Sequence, residues 1–252
     1  MNYSRTWGNQ VMNFPVSSAM DSTELHQIKK RLIYRHISWI NALRLQLRKP
    51  SSFSINYQKQ SGRSLYQGAP GGEDWKNDVG PFLLETDISM CKSYKNVATQ
   101  LVRMQGAEAK ELLKQGMITE FEHAQLMSSM EEFYNLQGKC ERIKNTPLPR
   151  QYSYFSAIFT YIFIGILPFA LIGLYSDMGH NYIWLTLPTY VLISWIFITM
   201  EKVGDSSEDP FENYINDVPM TALCRTIEID LREMLGETEL PPKTAHNKGV
   251  LM

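Results

Sequence analysis

The side chains that could do chemistry are scattered, and their spacing argues against catalysis. Five histidines, His26, His36, His123, His180 and His246, stand far apart, and each reads as a surface or core residue rather than a ligand. Five copies of one histidine could still meet around a symmetry axis. The three cysteines, Cys91, Cys140 and Cys224, are odd in number and contain no Cys-x-x-Cys pair, so they read as buried free thiols in a reducing compartment. There is no Gly-x-x-x-x-Gly-Lys phosphate loop, His-Glu-x-x-His zinc pair or Gly-x-Ser-x-Gly nucleophile turn. Catalysis therefore has no motif in its support, and neither a cofactor nor a metal site is expected.

Two groups of charged residues could instead act on ions. Residues 201–220 hold six acidic side chains against one basic, Lys202, and Glu208, Asp209, Glu212 and Asp217 lie at their centre. In one subunit this is a solvated acidic loop; repeated around a ring it would become a focused negative belt on the cytoplasmic side. The second group is Lys29, Lys30, Arg31, Arg35, Arg44 and Arg48, which reads either as an anion path or as a solvated helix face. The formal net charge is −1 and no basic run reaches five residues, so nucleic acid is not an expected partner.

The elements that must position these residues begin with two apolar spans. Gln151 to Ser176 and Met178 to Met200 each lack any Asp, Glu, Lys or Arg. About 22 helical residues cover roughly 33 Å, enough to cross the hydrocarbon core of a bilayer. The spans, about 153–176 and 181–200, are joined by a link too short for anything but a tight hairpin, so both outer ends lie on one side. Lys139, Arg142, Lys144 and Arg150 precede the first span and Lys202 follows the second, while the link has no Lys or Arg, which puts the flanking chain in the cytoplasm. Pro168 and Pro188 sit inside the spans, where each removes a donor and bends the helix, with or without functional meaning. No cleavable secretory signal precedes them, because residues 1–10 lack an apolar core.

The remainder reads as a helical cytoplasmic body. Asp21 and Glu24 mark a helix start, and Leu25, Ile28, Leu32, His36, Trp39 or Ile40, Leu43 and Leu47 recur on one face of an amphipathic helix of some 26 residues. Residues 49–81, rich in Gly and Pro, predict a long loop with at most short helical turns. Helices follow over about 82–114 and from Thr119 onward, the latter with an apolar stripe of Leu126, Met130, Phe133, Leu136, Cys140 and Ile143. Thr146-Pro147-Leu148-Pro149 then forms a stiff elbow before the first span. Asp217 can cap a last helix with Pro219 in its first turn, ended by Gly236. The expected organisation is a cytoplasmic helical region at 1–150, a transmembrane hairpin at 151–200, and an acidic loop, helix and tail at 201–252.

Read together, the motifs along the chain resemble the bacterial bestrophin-like proteins. The resemblance rests on Tyr3-x-Arg5 with Trp7-Gly8, on Arg35-His36 with Ala42-Leu43-Arg44-x-Gln46-Leu47-Arg48, and on Cys140-Glu141-Arg142-Ile143 before the elbow. It continues through Leu167-Pro168-Phe169, Glu208-Asp209-Pro210-Phe211, Asn216-Asp217-Val218-Pro219-Met220 and Arg225-Thr226-Ile227-Glu228-Ile229-Asp230-Leu231. It covers nearly the whole chain, and Met1 falls where the family's second membrane helix is ending.

The resemblance implies an all-α membrane protein, a transmembrane helical hairpin plus long cytoplasmic helices. In the family such subunits form a pentamer around a central pore, with four membrane helices each. It implies a multi-pass channel subunit in the cell membrane, a bacterial inner membrane, passing small monovalent ions, chloride or other anions and possibly cations. Leu148, between Pro147 and Pro149, matches the family's cytoplasmic aperture, where an apolar ring restricts passage by size and dewetting. Pro210, Phe211 and Asn216 belong to the most specific motif. Animal members carry a contiguous acidic run after Pro-Phe that clasps calcium, whereas here Glu212 is followed by Asn213, Tyr214 and Ile215, so calcium gating is not expected. The alternative is a non-conducting, membrane-anchored assembly or regulatory module.

Overall fold

In the computed structural model, residues 1–16, 21–49, 73–91, 93–146, 150–206, 210–211 and 217–244 are described. All regular structure among them is helical. The chain divides into two compact units, Met1–Asn145 with Phe211–Met252, and Thr146–Pro210.

The first unit is built around α2 (Ser22–Arg48), which packs against α1 (Asn2–Asn13), α5 (Val97–Lys114), α6 (Glu120–Asn145) and α9 (Met220–Met234). Asp21 occupies the N-cap in extended backbone, with Glu24 in the first turn. Lys49 leaves the helical region just before Pro50, whose ring disfavours a helical predecessor. From Arg35 to Arg44 every side chain is buried, so α2 is enclosed on all sides and is not the one-faced surface helix that its periodicity suggested. Leu32, Ile33, Ile37, Leu43 and Leu47 join Trp7, Leu101, Leu126, Phe133 and Leu231 in one core. At the crossing of α1 and α9 a Cβ on Gly8 would stand 2.6 Å from Leu231 Cδ2, so glycine is what lets these helices approach.

One expected helix is broken into three pieces. Residues 82–114 contain the end of a 3-10 turn (Gly80–Phe82), then α4 (Glu85–Cys91) and α5, with the six-residue α3 (Glu73–Asp78) ahead of them. Two tight turns, Ser93 N–H to the Met90 carbonyl at 3.2 Å and Tyr94 N–H to that of Cys91 at 3.2 Å, end α4. The Asn96 side chain then accepts from Thr99 N–H at 3.0 Å and caps α5, an alternative to continued helix that Asn readily offers. The helix closes on Gly116, φ 69°, with Gly116 N–H bonded to the Leu113 carbonyl and Met117 N–H to that of Leu112.

The start of α6 is a reciprocal box: Glu122 N–H donates to Thr119 Oγ1 at 3.3 Å, and Thr119 N–H to Glu122 Oε2 at 2.8 Å. Its apolar stripe fades toward the C-terminal end, where Leu136 and Cys140 are half-buried and Ile143 is 55 % exposed. At α9 the cap is Pro219 and the helix starts at Met220, so Asp217 lies two residues too early to cap it. Gly236, φ 77°, ends it as expected.

The second unit is a helical hairpin of α7 (Arg150–Met178) and α8 (Thr186–Ser206), joined by Gly179, φ 127°, and a 3-10 segment (His180–Leu185). Pro168 is interior to α7, leaving the Ile164 carbonyl without its usual donor. Pro188 is not interior: it lies in the first turn of α8, where a missing N–H costs little. Among the described side chains of the hairpin Leu167, Leu171 and Ser194 are the buried ones, and the Tyr175 and Thr189 hydroxyls bond at 2.9 Å. Most other large side chains point outward, including Phe159 at 65 %, Phe169 at 76 %, Leu187 at 71 % and Trp195 at 64 % exposed. A surface of this kind requires an apolar surrounding.

Candidate functional site

Of the expected pore residues, Pro147, Leu148 and Pro149 lie outside the described residues, as do Glu208, Asp209, Glu212 and Asn216 of the acidic segment. Pro210 and Phe211 form a turn, and Phe211 is buried in the core of the first unit. Asp217 is half-buried ahead of α9. The described residues thus hold the edges of the expected site, Asn145–Thr146 on one side of the elbow and Phe211 and Asp217 around the acidic segment.

What positions these edges is a set of polar clusters on α2. Arg35, buried, donates from Nε and Nη2 to Asp87 Oδ2 at 3.3 and 2.9 Å and from Nη1 to Glu108, which also takes Arg31 Nε at 2.6 Å. Arg44 donates to Asp78 Oδ2 at 2.6 Å and to Thr221 Oγ1 at 3.2 Å, and Arg48 also reaches Thr221. Lys29 bonds the Met12 carbonyl at 2.7 Å, and Lys30 pairs with Glu237 at 2.9 Å. All six basic side chains of α2 therefore have partners within the body: Arg35, Arg44 and Arg48 are buried, Lys29 and Lys30 are half-buried, and Arg31 is exposed. Burying a guanidinium demands such pairing.

The ends of α2 and α6 are tied together by a second cluster. Glu141 accepts from Gln46 at 2.9 Å, Asn96 at 3.1 Å and Gln137 at 2.9 Å, and Gln137 accepts from Trp39 Nε1 at 3.1 Å. Lys144 donates to the Leu47 and Lys49 carbonyls, covering the exposed acceptors at the C-terminus of α2. This clamp holds α6 up to Asn145, the residue before the elbow begins.

His36 is the titratable group that sequence reasoning placed on an apolar stripe without foreseeing its surroundings. It is 0 % exposed, with the rings of Phe133, Trp39 and Trp7 at centroid distances of 4.7, 5.0 and 6.1 Å. Neither ring nitrogen has a hydrogen-bond partner among the described residues. Desolvation lowers its pKa to about 3. Glu237 is the opposite case: burial works against its charge, but hydrogen bonds from Tyr34, Lys30 and Arg232 hold it at about 2. The thiols of Cys91 and Cys224 are pushed up to about 11 by burial, which leaves them unreactive. Among the described residues there is no cluster of three metal-ligating side chains.

Comparison with known proteins bears on the same span of chain. Residues 2–233 match the family described as Bacterial/Fungal Bestrophin protein. The voltage-dependent anion channel-forming protein YneE of Salmonella typhi is 29% identical over 170 residues, 68% of this chain and 54% of that protein. Voltage-dependent anion channel-forming protein mll4386 of Mesorhizobium japonicum is 33% identical over 160 residues, 64% of this chain and 49% of that one. The chain thus spans about half the length of these curated relatives. A crystal structure of a bacterial bestrophin homologue from Klebsiella pneumoniae superposes with a TM-score of 0.74 at 23% identity, covering 94% of this chain and 75% of the other.

Proposed function

The chain belongs to the bacterial and fungal bestrophin family, and from that premise we propose that it is a subunit of a pentameric ion channel passing small monovalent ions, anions foremost. The family match over residues 2–233 carries this reading. The relatives' description as voltage-dependent anion channel-forming proteins supports it. A hairpin of two helices cannot enclose water alone, so an aqueous path needs several subunits, or further helices, to shield it from lipid. The outward apolar side chains of α7 and α8 are suited to both lipid and neighbouring helices. In this reading the hairpin crosses the bilayer, the first unit is cytoplasmic, and no catalysis is involved.

Leu148 is the proposed aperture. Pro147 and Pro149 restrict their own φ and that of their predecessors, so a side chain between them is held on a stiff elbow and five copies could form an apolar ring. Glu208, Asp209, Glu212 and Asp217 are the proposed belt shaping the local potential. Pro210, Phe211 and Asn216 would hold that segment in place. The test is planar-bilayer recording of the purified protein with and without Leu148→Ala. A widened aperture raises conductance and relaxes discrimination between small and large anions; unchanged conductance and selectivity would reject the assignment. A wild-type protein that incorporates and carries no current would instead support a membrane-anchored module without conduction.

A further inference from the structure

We propose that a groove on the hairpin seats one phospholipid of the ethanolamine class, its ammonium on Glu201 and an acyl chain along a row of phenylalanines. The proposal rests only on the hairpin lying in lipid, not on conduction, so a protein that passes no current would leave it standing.

The groove has a volume of about 340 Å³ and is lined by Phe155, Ser156, Phe159, Thr160, Phe163 and Phe197. Phe155, Phe159 and Phe163 follow at four-residue spacing and so form a stripe along one side of α7, rising about 12 Å and inclined to the helix axis. The stripe is continued across the hairpin by Phe197, whose ring lies 4.8 Å from that of Phe163. Its four phenylalanines are 42 to 65 % exposed, a channel for an aliphatic chain rather than a closed core.

The groove also has a polar end. Ser156 lies 3.4 Å from Glu201 Oε2, and Glu201 is one turn beyond Phe197 on α8, so a half-buried carboxylate stands where the aromatic row begins. Lys202, the next residue, is exposed. The order from the membrane edge inward is therefore Lys202 and Glu201, then Phe159, then Phe163 with Phe197. A phospholipid with an ethanolamine head offers an ammonium with three N–H donors for the Glu201 carboxylate at the outer end and an acyl chain for the aromatic row inward of it. The phenylalanine faces nearest Glu201 add attraction for the cation. An anionic glycerol head meets the carboxylate with like charge. A choline head keeps the cation but offers no N–H donor.

The experiment is native mass spectrometry of the full chain in detergent, titrated with ethanolamine, choline and glycerol phospholipids of identical acyl chains. The ethanolamine lipid should be retained about tenfold better than either of the others, the size of one charge-assisted hydrogen bond. Glu201→Gln should bring that ratio close to one. Phe159→Ala should weaken all three lipids while keeping their order, and Phe159→Leu should restore retention. A measurement without variants uses ethanolamine lipids methylated zero to three times, for which retention should fall step by step. Equal retention of all heads by the wild type, preference for the glycerol lipid, an unchanged ratio in Glu201→Gln, or a flat methylation series would each overturn the proposal.

Discussion

Acidification should loosen the helical body through one buried residue, and the size of the effect follows from its surroundings. His36 has an ordinary pKa of 6.5 and is held at about 3 by burial among Trp7, Trp39 and Phe133. Below pH 6.5 the unfolded chain takes up a proton that the folded chain refuses, so stability falls as pH drops and the loss is complete near pH 3. At 1.36 kcal/mol per unit the ceiling is about 5 kcal/mol, and between pH 6.5 and pH 5 the loss is about 2 kcal/mol. The perturbation that isolates it is His36→Phe, which keeps an aromatic ring in the box and removes both unpartnered nitrogens. Urea unfolding of the detergent-solubilised protein at several pH values between 5 and 7.5, followed by tryptophan fluorescence, gives stability against pH for both proteins. Carboxylates titrate alike in both and cancel in the difference. Above pH 6.5 the two curves should run parallel; below it the wild type should fall away by about 1.4 kcal/mol per unit. Curves that stay parallel down to pH 5 would show that His36 takes its proton in the folded state, and the desolvation argument would be wrong.

Two other perturbations test how the body is pinned. Asp87→Ala removes the carboxylate that receives two bonds from Arg35 and leaves a buried guanidinium held by Glu108 alone; a loss of about 2 kcal/mol in urea unfolding is expected, with part recovered in an Arg35→Met, Asp87→Ala double variant. Glu237→Gln should weaken the bonds from Tyr34, Lys30 and Arg232 that hold the carboxyl near 2. The stability Glu237 supplies is present above the ordinary carboxylate value of 4.5 and is lost as pH falls from there toward 2. The Gln variant should therefore differ from the wild type at pH 7 and converge with it in acid, and an equal difference at pH 7 and pH 3 would count against that assignment.

How far these features could be read from sequence depends on whether their cause is local. The hairpin was legible because absence of charge over a bilayer's length is a property of consecutive residues, and the Thr119–Glu122 box because both partners lie within one turn. Gly236 was legible because a left-handed residue after a helix has a chemical preference that sequence displays. The Phe82–Lys114 stretch differs from the single helix expected, because turns at Ser93 and Tyr94 and the Asn96 cap divide it. Pro188 was misplaced because a 3-10 segment precedes it and moves the start of α8 to Thr186. The fate of the α2 cations was not legible at all. Arg35 finds its carboxylates 52 and 73 positions away, and Arg44 finds Thr221 177 positions away. Only the tertiary fold brings such partners together.

That last point bears on how such a channel could discriminate between ions. A basic helix invites the reading that its charges attract anions, yet on α2 the guanidinium and ammonium groups are spent on carboxylates, carbonyls and a hydroxyl of the same body. Lys30, Arg31, Arg35 and Arg44 stand against carboxylates, so a permeating ion outside the body would meet nearly neutral pairs there, while Lys29 keeps its charge against a neutral carbonyl. Substitutions at Arg35 or Arg44 would then act through folding, by orphaning Asp87, Glu108 or Asp78, and not through permeation. Selectivity would fall instead to the proposed pore residues, the uncharged Leu148 ring and the belt of Glu208, Asp209, Glu212 and Asp217, whose carboxylates are of opposite sign to what an anion path would need. A size-and-dewetting filter at Leu148 is compatible with anion passage only if the acidic belt stands off the axis or is partly neutralised, so charge removal at Glu208 and Asp209 together is the perturbation that would separate the two contributions.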